Sequence, residues 1–135
     1  MQLQNTVHKS AWILIENGRI LSTKSRGKSV FYLPGGKPEA NESPENALVR
    51  EIKEELTVDL VPETINLMGI FEGQAHGRDV GVKVVMTCFT ASYQGKLQPA
   101  NEIAEIAWLQ YSDIHNTSPV DQIIFRWLRE RGMLD

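Results

Sequence analysis

One amphipathic segment, residues 44–56, constrains the fold of this 135-residue chain more than any other feature. Its apolar side chains Leu48, Ile52 and Leu56 recur every four residues, which places them on one face of an α-helix. The preceding Ser43 can cap this helix, and the proline after it suits a first helical turn. Strand-like patterns lie on both sides of the segment, so the apolar face is expected to pack against a sheet.

The opposite face of the same helix is acidic. Glu51, Glu54 and Glu55 stand at positions i, i+3 and i+4, so their carboxylates converge, whereas Lys53 points away from them. Like charges at this spacing destabilise an isolated helix by about 0.2–0.5 kcal/mol per pair. A helix selected only for stability would avoid such like-charge neighbours, so their presence indicates a functional site. The carboxylates are suited to a hard divalent cation.

The remaining chain alternates between apolar segments and turn residues. The dipeptide Asn17-Gly18 predicts a β-hairpin, and a second amphipathic helix is predicted from Pro119 to just before Gly132. Its apolar stripe is expected to contain Ile123, Ile124, Trp127 and Leu128. The predicted strands are residues 10–16, 19–24, 30–33, 65–75, 82–93 and 105–110. This order predicts an α/β (α+β) fold with a mixed sheet between helices, in a single domain, residues 1–135.

Composition limits the kinds of ligand that the protein is expected to bind. A net charge of −3 and a pI near 5.6 argue against binding polymeric nucleic acid, but an acidic protein can bind a small nucleotide when metal ions supply positive charge.

The single cysteine, Cys88, lies in an apolar run and is expected in the core. No run is apolar enough to span a membrane and no leader is evident, so a cytoplasmic protein is expected. His8, His76 and His115 are too dispersed for a zinc site.

The acidic helix and its flanks also carry a family pattern. Gly36, then Glu42, then Arg50-Glu51-Ile52-Lys53-Glu54-Glu55, Thr57 and Val58 resemble the Nudix box of the Nudix hydrolases in register. Thr57 is the one departure, because the family has glycine there. A glycine at the end of the helix adopts a left-handed conformation without steric cost, whereas a β-branched residue does not. The resemblance implies an α/β/α sandwich with a central mixed sheet.

The resemblance also implies roles for individual residues. The expected cation is Mg²⁺, with Mn²⁺ able to use the same ligands. Its ligands would be Glu51, Glu54, Glu55 and the backbone carbonyl of Gly36. Arg50 and Glu42 would support these carboxylates. For the catalytic base, Glu54 is a candidate inside the box, and Glu102 and Glu105, ahead of Trp108, are candidates outside it. Lys24 and Lys37 are candidate contacts for substrate phosphates.

Three functions stay open at this stage. The first is a (d)NTP pyrophosphohydrolase that releases a nucleoside monophosphate and pyrophosphate, as compact MutT-like members do. The second is a hydrolase of ADP-ribose or a nucleotide sugar, and the third, from another class, is a nucleotide-binding domain without activity. The intact box carboxylates disfavour the third. Many family members form homodimers, and the resemblance extends that expectation to this chain.

Overall fold

A computed structural model describes residues 6–75 and 81–135 of the chain. His76, one of the three dispersed histidines, lies outside these residues. The strands are β1 Thr6–Trp12, β2 Ile15–Glu16, β3 Arg19–Ser25, β4 Gly35–Gly36, β5 Asp59–Leu60, β6 Asn66–Gln74, β7 Lys83–Thr90, β8 Tyr93–Gln94 and β9 Ile103–Leu109. The helices are α1 Pro44–Leu56 and α2 Pro119–Glu130, with 3₁₀ turns at Pro62–Thr64 and Tyr111–Asn116.

The strands form three sheets. The largest has the order β4-β1-β7-β6, and it is mixed because β1 runs parallel to β7 while the other pairs are antiparallel. Strands β2, β3 and β9 form an antiparallel sheet, and β5 pairs with β8. The predicted mixed sheet is therefore confirmed. Sequential order alone does not reveal the parallel β1–β7 pair, since the two strands are far apart in the chain.

Two cores lie on opposite faces of the sheets. Successive strand residues point to opposite faces, so Ala11 and Cys88 enter one core while their neighbours Trp12 and Phe89 enter the other. The first core is closed by α2 through Ile124, Phe125 and Leu128, and the second by α1 through Leu48, Ile52 and Leu56. Helices on both faces confirm the predicted α/β/α sandwich. The core position of Cys88, fully buried, is confirmed as well.

Three of the predicted strands need correction, and one of them, residues 82–93, divides into β7 and the separate short strand β8. The first strand spans Thr6–Trp12 rather than residues 10–16, with a separate β2 before the hairpin at Asn17 and Gly18, both of which have positive φ. The predicted strand at residues 30–33 is wrong, because only isolated bridges occur there. Tyr32 pairs with β3, but the amide of Phe31 donates to the Asn116 carbonyl instead. The segment thus divides its hydrogen bonds between a strand and a loop.

The apolar stripe of α2 differs from the prediction at one residue. Ile124 and Leu128 are fully buried, but Ile123 is 39% exposed. Val120 and Phe125 complete the buried face instead. Ile123 lies at the margin of the helix–sheet contact, where its Cδ1 would be 3.2 Å from a Cβ built on Gly73 of β6. Among the described residues, no helix is both long and apolar enough to cross a membrane.

Candidate active site

The N-terminal end of α1 is fixed by two serine hydroxyls. The Oγ of Ser43 accepts a hydrogen bond from the Asn46 amide at 3.1 Å, which confirms the predicted cap. The Oγ of Ser10, on the neighbouring strand β1, donates to the Pro44 carbonyl at 2.8 Å. The helix therefore starts at a defined position on the mixed sheet.

The C-terminal end of α1 is fixed by the segment of residues 96–101. Helix ends leave carbonyls without partners inside the helix. Here Asn101 Nδ2 donates to the Glu54 carbonyl at 2.7 Å, and the Ala100 amide donates to the Glu55 carbonyl at 2.9 Å. Thr57 ends the helix in the left-handed region, with φ 63° and ψ 17°, and its Oγ1 donates to the Lys96 carbonyl at 3.0 Å. Thr57 therefore adopts the left-handed conformation that is expected of the family's glycine at this position.

The acidic face of α1 contains one deeply buried carboxylate. Glu55 is 7% exposed, and its Oε1 accepts a hydrogen bond from the Gly35 amide at 3.2 Å. Burial, with a smaller contribution from the nearby carboxylates of Glu51 and Glu102, raises the pKa of Glu55 to about 8, although the Gly35 amide favours the charged form. Burial likewise raises the pKa of Glu51, with Glu54 and Glu102 adding repulsion. Carboxylates that raise one another's pKa in this way form a donor set suited to a divalent cation.

Arg50 connects this face to the preceding loop. Its guanidinium donates two hydrogen bonds to Glu42, at 3.0 and 2.9 Å, and one to Glu51 at 3.1 Å. It also donates to the Lys37 carbonyl at 3.1 Å and lies 3.6 Å from a Glu54 oxygen. The hydrogen bond from Arg50 lowers the pKa of Glu42 to about 2. Arg50 and Glu42 therefore have the geometry of positioning residues, because a planar fork fixes both the loop and a helix carboxylate.

Two glycines allow β4 to approach the helix and β1. A Cβ built on Gly36 would lie 2.4 Å from Cδ of Glu51, and one built on Gly35 would lie 1.9 Å from the carbonyl oxygen of Ser10. Gly35 also has φ +144°, a conformation that other residues rarely adopt. A side chain at Gly36 would occupy the space that the Glu51 carboxylate fills.

A cavity of about 410 Å³ opens beside this face, and Gly36, Glu51, Glu55 and Glu102 lie in its wall. Glu102 is positioned through its backbone, since its carbonyl accepts from the Arg26 amide at 2.9 Å. Arg26 also donates through its side chain to the Asn101 carbonyl. The structure therefore brings Glu102 to the carboxylates of α1.

Glu105 and Lys24 lie elsewhere. They face each other across the β3–β9 pair and form an ion pair at 3.6 Å, in which the Glu105 side chain is 54% exposed. The Lys24 ammonium also lies 5.1 Å from the centre of the Phe31 ring. Lys37, the other predicted phosphate contact, lines the cavity. Of the two lysines, only Lys37 adjoins the acidic face.

A second cavity, of about 140 Å³, adjoins the first. Lys9, Tyr32, Lys37 and Met86 line both. The second cavity is otherwise walled mostly by small and apolar side chains, among them Val7, Ala75, Val84, Ser118 and Val120. A ligand that occupied both cavities would follow a path from the carboxylates to a partly apolar recess.

Asp121 is a buried acid close to this recess. It is 1% exposed, and its Oδ2 accepts a hydrogen bond from the Leu33 amide at 3.0 Å. Within the described part of the chain, Asp121 Oδ1 and the Oγ of Ser118 have no partner at full hydrogen-bond geometry, although the Ser118 hydroxyl is near enough to Asp121 to favour its charged form and lower its pKa. Burial raises the pKa of Asp121 to about 7. The sequence does not single out Asp121, because an acid in the first turn of a helix ordinarily lies in solvent and interacts with the helix dipole.

The donor set fits a hard cation, but the carboxylates are not gathered around one point. Among the described residues, no group of three aspartate, glutamate, histidine or cysteine side chains is close enough to hold an ion. Glu51 is engaged by Arg50, and Glu55 by the Gly35 amide. A cation would have to draw these oxygens together by rotation of their side chains.

Comparisons with known proteins agree with this fold and show the family. The family model of the NUDIX domain matches residues 6–129, so the chain belongs to this family, and its resemblance to the Nudix hydrolases is confirmed. A MutT protein from Methanosarcina mazei Go1 has the same fold, with a TM-score of 0.78 at 18% identity, covering 98% of this chain and 99% of that one.

Two relatives are similar in sequence. An ADP-ribose pyrophosphatase from Methanocaldococcus jannaschii is 33% identical over 107 residues, or 77% of this chain and 60% of that protein. A MutT-like protein from Streptomyces ambofaciens is 26% identical over 110 residues, or 82% of this chain and 67% of that protein. The matched part of this chain thus spans only three fifths of the length of the first relative.

Proposed function

We propose that this protein is a Mg²⁺-dependent Nudix pyrophosphohydrolase that cleaves (d)NTPs to a nucleoside monophosphate and pyrophosphate. One observation carries the proposal: Glu51, Glu55 and Glu102 line one cavity, and a partly apolar recess adjoins it. An anhydride could lie at the carboxylates while the nucleoside occupies the recess, against Tyr32. The acidic composition is compatible with a small nucleotide when a cation is present.

We propose a role for each of the predicted site residues. Glu51, Glu54, Glu55 and the carbonyl of Gly36 would hold Mg²⁺, or Mn²⁺ in its place. When bound, such a cation polarises the phosphate and lowers the pKa of water. Arg50 and Glu42 keep Glu51 in position, as their hydrogen bonds favour.

Glu102 is the base that we favour, with Glu54 as the alternative within the box. It lies in the cavity wall, whereas Glu105 is engaged with Lys24 on the surface. In the reaction, water attacks a phosphorus atom of the anhydride and Glu102 accepts the proton of that water. The bond from this phosphorus to the bridging oxygen breaks, and the bridging oxygen leaves with the departing phosphate group.

A second candidate is the hydrolysis of ADP-ribose or a nucleotide sugar. It is supported by the relative named as an ADP-ribose pyrophosphatase, at 33% identity. The chemistry at the carboxylates would be the same, and the leaving group would differ. A nucleotide-binding domain without activity is disfavoured, because the carboxylates of the box are intact. Cytoplasmic location and a homodimer stay predictions.

The test is a panel of nucleoside triphosphates, ADP-ribose and nucleotide sugars, incubated with the protein and Mg²⁺. Glu54→Gln is the site variant, and Glu45→Gln, an exposed residue of the same helix, is the matched control. We expect a nucleoside monophosphate and pyrophosphate from a triphosphate, with activity lost in Glu54→Gln and retained in Glu45→Gln. Failure to turn over any compound would refute the enzymatic proposal. A nucleoside monophosphate and a sugar phosphate, without triphosphate turnover, would favour the second candidate.

A further inference from the structure

Lys9 occupies the boundary between the two cavities. It lies on β1, the strand between β4 and β7 in the mixed sheet, and its side chain is half-buried. It lines both the cavity of the carboxylates and the recess. Lys37 also lines both, but it belongs to the loop after β4, whereas Lys9 projects from an internal strand.

The surroundings of Lys9 place its charge between two acids and an aromatic ring. Its ammonium favours the charged forms of both Glu55 and Asp121, lowering the pKa of each against the effect of burial. The Nζ atom lies 5.8 Å from the centre of the Tyr32 ring, which lines the recess. The ammonium is therefore within electrostatic reach of the carboxylates on one side and of the recess on the other.

A nucleotide bound along this path would pass Lys9 at a definite point. With its anhydride at the carboxylates and its nucleoside in the recess, the phosphate bonded to the nucleoside lies at the boundary. That phosphate is repelled by Glu55 and Glu51, so a fixed positive charge beside it has a large effect. A lysine ammonium acts on phosphate oxygens as a compact point charge with three donors.

We propose that Lys9 binds the phosphate group attached to the nucleoside and so makes the recess selective for nucleotides over nucleosides. The inference rests on the proposed function, since it assumes that the substrate is a nucleotide bound along this path. A different role for Lys9 would be to compensate the charges of Glu55 and Asp121 without touching the substrate. The two roles differ in what they predict for ligands with and without a phosphate.

The experiment compares the binding of nucleoside monophosphates and of the matching nucleosides by calorimetry on the full chain. Binding is measured in the presence of EDTA, which removes divalent metal ions, so that only positively charged side chains of the protein act on the phosphate. The variants are Lys9→Met, Lys9→Arg and, as a control, Lys53→Met on the outer face of α1, where Lys53 pairs with Asp59. Circular dichroism checks that each variant is folded, and Lys9→Gln replaces Lys9→Met if the latter is not.

We expect Lys9→Met to weaken binding of the monophosphate by about tenfold or more and to leave the nucleoside unchanged. Lys9→Arg should retain most of the preference, and Lys53→Met all of it. Equal losses for both ligands, or no loss, would overturn the assignment and indicate charge compensation alone. A wild-type protein without any preference for the monophosphate would overturn it too. Turnover in the substrate panel together with an unchanged preference in Lys9→Met refutes only this inference, whereas absence of turnover refutes the proposed function.

Discussion

Thr57, the one departure from the family pattern, allows a quantitative test of how α1 ends. The substitution Thr57→Gly would remove a side chain from a left-handed backbone conformation, φ 63° and ψ 17°. Such a conformation costs a residue other than glycine about 1–2 kcal/mol. Two losses oppose this gain. The hydrogen bond from Oγ1 to the Lys96 carbonyl contributes about 0.5–1.5 kcal/mol, and glycine adds about 0.5–1 kcal/mol of entropy to the unfolded chain.

These contributions nearly cancel, so Thr57→Gly should change the free energy of unfolding by less than about 1 kcal/mol. Thr57→Val separates them, because it keeps the β-branched shape and the strain but loses the hydroxyl. We expect it to destabilise the protein by about 1 kcal/mol or more. The measurement is urea unfolding followed by tryptophan fluorescence. The dependence of the unfolding free energy on urea concentration should be the same in all variants.

The account of the helix end would be refuted if Thr57→Val were as stable as the wild type. It would equally be refuted if Thr57→Gly lost more than about 2 kcal/mol, since the lost hydrogen bond and the added entropy outweigh the relieved strain by at most about 1.5 kcal/mol. The carbonyls of Glu54 and Glu55 keep their partners in segment 96–101 in either variant. Turnover by Thr57→Gly should therefore stay within about twofold of the wild type, and its kcat provides the second readout.

Three further predictions concern the site and the buried acid. Gly36→Ala should lower kcat at least about tenfold, because its Cβ would occupy the space of the Glu51 carboxylate; normal kcat would contradict this. Glu102→Gln should lower kcat by about 10²–10⁴, while Glu105→Gln should stay within about twofold; the reverse order in steady-state assays would exchange their roles. The pKa of Asp121 rises from 3.8 unfolded to about 7 folded, so between these values only the folded state keeps the proton. Stability should therefore fall as pH rises through this window, by at most about 1.4 kcal/mol per pH unit from this group. Urea unfolding at pH 5 and 7.5 should show a weaker fall in Asp121→Asn, and identical pH dependence would refute the assignment.

The acidic face could be predicted from sequence because its geometry is local. Helical periodicity alone places Glu51, Glu54 and Glu55 on one face of α1, and the spacing to Arg50 and Glu42 keeps these partners within reach. The helix cap and the two helical layers follow from similarly local patterns. The catalytic and metal-binding roles of these residues stay predictions.

The rest depends on tertiary pairing. Glu102 and Glu105 are close in sequence, and only the register of β9 against β3 directs Glu105 to Lys24. Lys9 and Asp121 lie far apart in the chain, and no local pattern predicts that the charge of Lys9 acts on Asp121. Sequence periodicity also cannot show that residues 30–33 share their hydrogen bonds with a loop, because those partners are distant in the chain.

The most direct test of the central claim is to follow the cleavage of a nucleoside triphosphate by ³¹P NMR, with Mg²⁺ and with EDTA, using wild type and Glu55→Gln. We expect a nucleoside monophosphate and pyrophosphate with Mg²⁺ from the wild type. We expect no cleavage with EDTA and a loss of rate of at least about 10–100-fold in Glu55→Gln. Release of a nucleoside diphosphate and phosphate, or equal rates with Mg²⁺ and EDTA, would contradict the proposed function.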